Sequence, residues 1–181
     1  MIARSRTALL LTAALFFSAS LLLAQQPASE HEQCTRQGAK SDDPHAHHEA
    51  MMSRGEKGMG FSQTTTTHHF LLRPEGGIIA VSANDPKDKT TRDQIRMHLA
   101  HIAHSFAEGD FDIPMFVHDQ TPPGVPDMKR LAKDIQYRSR DTDQGGEVVI
   151  TSTSGEAVHA IHDFLIFQIR EHKTGDPIAL P

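Results

Sequence analysis

The sequence predicts an α+β fold of two hairpin–helix (ββα) repeats, forming a four-stranded antiparallel sheet with two helices on one face. Three observations lead there. Strand-like stretches with apolar residues at alternate positions come in two pairs, and each pair contains a Gly-Gly, at Gly76 and Gly77 and again at Gly145 and Gly146. Two other stretches repeat apolar residues at helical spacing: Ile95, Leu99, Ile102 and Phe106, then Val158, Leu165 and Ile169. The order hairpin, helix, hairpin, helix lets both apolar helix faces pack on the same side of one sheet.

Taken in order, residues 1–24 read as a Sec-type signal peptide. Arg4 and Arg6 supply the charged start, an apolar run spans residues 8–17, and Ser18, Ala19 and Ser20 follow, with cleavage expected after Ala24. The apolar run is short for a membrane span, so no stable anchor is expected after cleavage, and the location is periplasmic or secreted. Residues 25–60 read as a disordered linker rich in histidine and methionine, including His31, His45, His47, His48, Met51, Met52 and Met59, a composition suited to scavenging copper or zinc. Cys34 is the single cysteine, so no internal disulfide supports the fold.

The α+β domain is expected over residues 61–177. Residues 68–73 and 78–83 are the first two strands, joined by a turn over 74–77. The first helix spans about 92–107, with Thr91 and Gln94 as a capping box and Gly109 as its stop. A connection rich in proline and glycine occupies 109–126, and Asp127 caps a short helix to 133. Residues 134–140 and 147–152 are the second strand pair, around a turn over 141–146. Thr153 and Glu156 repeat the capping pattern before a helix to 172, where Arg170, His172 and Lys173 suit the helix dipole.

Thirteen histidines stand against one tyrosine and no tryptophan. Histidines at i and i+3 on a helix lie near enough to share an ion, and both helices carry such a pair, His98 with His101 and His159 with His162. The expected metal ligands are His98, His101 and His118. His68, which alternates with Phe70 and Leu72, and His162, which lies within the second helical stripe, are reserves. His69, His104, His159 and His172 are expected at the surface. The ion is copper or zinc. Haem is the alternative cofactor, held non-covalently because no C-x-x-C-H is present, with Met115 or Met128 as a second axial ligand. The net charge of −5 and the lack of a basic patch argue against nucleic acid.

The leading functional expectation is therefore an exported, non-catalytic metal-binding protein. A metal-dependent or haem enzyme, with Asp110, Asp112 or Asp119 beside the imidazoles, is the second. A cofactor-free interaction module using residues 109–126 is the third. Neither G-x-S-x-G, nor a Walker loop, nor a dinucleotide-binding fingerprint occurs. The segments M-G-F-S-Q-T-T-T-T-H-H-F and I-R-M-H-L-A-H-I-A, with G-D-F-D-I-P-M-F-V-H-D and F-Q-I-R-E-H-K-T-G-D, resemble a family of exported bacterial proteins without an assigned activity. The resemblance spans residues 50–178 and implies export; it assigns no catalytic residue. The protein is expected to be monomeric or dimeric.

Overall fold

The computed structural model describes residues 44–180; the signal-peptide reading of 1–24, with His31 and Cys34, lies outside the described residues. Four strands, β1 (Thr66–Arg73), β2 (Gly76–Ala83), β3 (Ile135–Asp141) and β4 (Gly145–Ser152), form one antiparallel sheet in the order β1-β2-β4-β3. Helix α2 (Lys89–Ala107) follows the first hairpin and α5 (Gly155–His172) the second. The α+β class and the repeated ββα order are therefore as predicted. Among the described residues, no helix is long and apolar enough to cross a membrane.

Alternation decides which face is covered. His68, Phe70 and Leu72 of β1 share a face with Ile79 and Val81 of β2 and with Val148 and Ile150 of β4, and these strand residues, apart from half-buried His68, are buried. Ile95, Leu99 and Ile102 of α2 and Ile161, Leu165 and Ile169 of α5 meet them in one core cluster. The two repeats match side chain for side chain. Leu99 packs 3.3 Å from the position of a Cβ on Gly146, and Leu165 stands in the same way against Gly77. Arg96 of α2 donates to the carbonyls of Thr142 and Gly145 at the β3–β4 turn. His162 of α5 donates to the carbonyls of Arg73 and Gly76 at the β1–β2 turn. Each helix thus holds the turn of the other repeat's hairpin.

Several local expectations are corrected. Both Gly-Gly pairs open central strands instead of lying in the turns. Helix α2 is capped by Asp88, whose Oδ1 accepts the Thr91 N–H at 2.9 Å, and α5 by Ser154. The connection 109–126 contains α3 (Asp112–His118), and α4 (Val125–Arg130) follows Gly124. Pro114 and Pro126 sit in the first turns of these helices, where a missing N–H has no intrahelical partner to lose. They start helices here rather than break them.

Residues 44–59, expected as linker, form α1 (Pro44–Met59). Met51 is fully buried, Arg54 Nε donates to the Val117 carbonyl at 2.8 Å, and His47 Nε2 lies 3.1 Å from Glu171. A helix this poor in branched apolar residues is stabilised by docking on α3 and α5, which the composition of the segment alone does not reveal.

Gly124 carries a testable constraint. Its φ is +80°, and a Cβ there would stand 2.1 Å from the Ala160 carbonyl oxygen of α5. Gly109 has φ +77° with nothing within 4 Å of a Cβ. G109A is expected to cost about 1 kcal/mol from backbone strain alone, and G124A about 2–4 kcal/mol, since α4 must also move away from α5. Urea unfolding of the two variants checks this; equal losses would refute the contact.

Candidate functional site

The apolar face of the sheet, α2, α3 and α5 leave a cavity of about 80 Å³ between them, which Met59 at the end of α1 also lines. Its polar lining comes from His68, His98, His118, His172 and Gln168. Four imidazoles from four elements thus face one mostly apolar space. No carboxylate lines it.

Local sequence explains each position. His68 is on the inward face of β1, two residues before Phe70. His98 neighbours Leu99 at the edge of the α2 stripe. His118 is the last residue of α3 and is 1% exposed, because α3 turns inward before Asp119 adopts φ +52°. His172 ends α5 and continues the series Leu165, Gln168, Ile169 at i+7, the spacing of one helical face.

The rings form a continuous series. His118 meets His172 edge to face, with centroids 5.1 Å apart, and His172 lies nearly parallel to His68 at 6.0 Å. Phe61 then separates His68 from His98, at 6.3 and 5.6 Å. His118 Nε2 lies 2.9 Å from Gln168 Oε1. A carbonyl oxygen only accepts, so this bond assigns the proton to Nε2 and leaves Nδ1 with its lone pair. His118 Nδ1 has no hydrogen-bond partner, and Glu171 Oε2 stands 3.9 Å away. His68 Nε2 and Gln168 Nε2 are likewise buried without partners.

Burial keeps these groups uncharged. It pushes His68 down to about 4, with the neighbouring His69 adding to the effect. His98 is pushed down to about 4 by burial, then by His101 and His68. His172 falls to about 3 through burial, with His118, His68 and His48 contributing. His118 is also lowered by burial, which outweighs the opposing Gln168 bond and Glu171 charge. At neutral pH all four are free bases.

Of the predicted ligands, His68, His98 and His118 line the cavity, while His101 is exposed on α2. His162 has its Nε2 on two backbone carbonyls, at 2.9 and 3.0 Å, and serves the β1–β2 turn as Arg96 serves the other. Because Arg96 corresponds to His162, and Leu99 to Leu165, the two H-x-x-H pairs occupy different places in their repeats. Their common spacing is a coincidence. His69, His104 and His159 are at the surface as expected. His172 is not: it is part of the cavity wall, in the place that Phe106 holds in the first repeat.

The other candidates fall elsewhere. Asp110 Oδ1 accepts the Asp112 N–H at 2.8 Å, and neither these residues nor Asp119 lines the cavity. Met128 is fully buried in the core and, with Met115, is also absent from the lining. The cavity is small beside the roughly 300–1,000 Å³ of pockets for drug-sized ligands, so a haem would require it to open. Among the described residues, no three His, Cys, Asp or Glu side chains already stand in position to hold one ion. No family model, curated protein or solved structure matches the chain.

Proposed function

We propose that the protein is an exported binder of a transition-metal ion, copper ahead of zinc, which it takes up at His118, His172 and His68. One observation carries this reading: three adjacent imidazoles, uncharged at neutral pH, two of which have a buried ring nitrogen with no partner. A ligating imidazole must be neutral, so burial has already met the proton cost of binding. Two rings bonded to one ion at about 2.0–2.1 Å have centroids about 5–6 Å apart, by simple geometry. The observed spacings are 5.1 and 6.0 Å. Side-chain rotation is still required to aim the nitrogens at a common point.

Donor chemistry favours copper. The lining supplies imidazoles, which serve copper and zinc alike, and the Met59 thioether, a soft donor that favours copper(I), and no carboxylate lines the cavity itself. Equilibrium competition between the purified protein and a chromogenic copper(I) chelator tests this. One equivalent is expected, held more tightly than zinc(II). H172A and H68A are expected to weaken it by about tenfold or more. H101A, at an exposed position, should bind as wild type. A protein that takes up neither ion ends the proposal.

A further inference from the structure

The outer side of the histidine series opens into a polar cleft of about 240 Å³. His68 and His172 line both the cleft and the inner cavity, so they form a shared wall. On the solvent side the cleft is lined by His48 and Met52 of α1 and by His69 of β1. β1 is an edge strand, which is why consecutive residues of opposite faces, His68 and His69, both reach it.

His69 is not a loose surface side chain. Its Nδ1 lies 2.8 Å from Asp176 Oδ1, and the Asp176 side chain is only 8% exposed. Asp176 is fixed in turn: Oδ2 accepts the Phe70 N–H at 2.9 Å and the Thr174 hydroxyl at 2.7 Å. Burial opposes its charge, but the Phe70, Thr174 and His69 contacts together hold its carboxyl below the usual range. A carboxylate on Nδ1 places the proton there and leaves the Nε2 lone pair for a ligand. Metal-binding histidines are commonly oriented by such a partner.

We infer that His69, oriented by Asp176, forms with His48 and Met52 an outer docking site where a copper(I) ion enters before it passes to His68 and His172. This rests on the reading of the inner cavity as a metal site. Imidazoles and thioethers occur along the whole path, beside the Gln63 amide and the hydroxyls of Thr66, Thr67 and Thr174 in the cleft and the Gln168 amide in the cavity, and no carboxylate lines either space. The shared wall lets the ion exchange one imidazole at a time without returning to water. A purely structural role for Asp176, holding the C-terminal tail to the β1 edge, predicts no effect on metal.

Stopped-flow transfer of copper(I) from its complex with a coloured chelator tests the inference, using the full chain. H69Q and D176N are expected to load about tenfold more slowly or worse, with the affinity of the inner site unchanged. H104Q, at an exposed position outside both spaces, should load as wild type. H118A removes an inner ligand that the cleft does not share; it should retain one weakly bound ion that disappears when H69Q is added. Wild-type loading rate and stoichiometry in H69Q overturn the outer site while leaving the inner one standing. Loss of binding in H118A with no residual ion also overturns it, and a wild-type protein that binds no copper overturns both. D176N also loosens the β1 edge, so H69Q, at a half-exposed residue, is the decisive variant.

Discussion

Lowering the pH from 7 to 5 is expected to remove roughly 3–6 kcal/mol of folding stability, and the buried histidines are the cause. The folded state holds His68 and His98 at about 4 and His172 at about 3, with His118 also lowered. An unfolded chain titrates its histidines near 6.5, so below that pH it binds protons that the folded state refuses. The stabilisation is complete above about pH 6.5 and is lost progressively as pH falls towards the folded values near 4 and 3. At pH 5 each such group has lost about 1–2 kcal/mol, and three together remove a large share of the roughly 5–15 kcal/mol typical of a domain. Asp88 and Asp176 are lowered carboxyls whose contributions disappear at still lower pH, through the acidic carboxylate range, so the two windows separate. Urea titrations at pH 8, 7, 6 and 5 read this directly. A midpoint that stays constant over that range would refute neutral burial of the imidazoles. Copper uptake should weaken over the same interval, because protons and the ion compete for the same lone pairs.

The architecture is legible because each element carries a periodic signal. Strand alternation identifies the inward face of β1 and β4, and the stripe from Ile95 to Phe106 identifies the covered face of α2. Two signals are misread for physical reasons. His172 lies near a helix C-terminus, where a protonated imidazole would complement the dipole, and that argument conceals its place on the Leu165–Gln168–Ile169 face. Periodicity there carries the correct answer, because burial decides the protonation state before the dipole can. His162 is placed inward correctly, but its partners are the carbonyls of Arg73 and Gly76, on a turn 89 and 86 residues away. No sequence spacing encodes such a contact. Helix α1 escapes for a third reason: methionines, which carry its one fully buried contact through Met51, contribute little to an apolar pattern. The cavity itself is a negative space between the sheet and four helices, and only their packing defines it.

Replacing both His118 and Gln168 by leucine is expected to leave stability near wild type while it weakens copper binding by about tenfold or more. These two side chains, 1% and 3% exposed, make a 2.9 Å bond to each other. A bond between two buried polar groups contributes little net stability, since each gives up water to make it. Removing one partner is different. H118L leaves both polar atoms of the Gln168 amide without partners, and Q168L leaves the His118 Nε2–H without its acceptor, so each single variant should lose about 1–3 kcal/mol. The double variant removes the whole polar pair, so a double-mutant cycle should return a coupling of about 2–6 kcal/mol, the two single losses together. Binding should follow another order. Q168L keeps the Nδ1 ligand but no longer fixes the proton on Nε2, so its affinity should lie between wild type and H118L. A pair retained for folding would make the double variant at least as unstable as the sum of the two singles, and recovered stability without recovered binding is the result that identifies a pair retained for the metal.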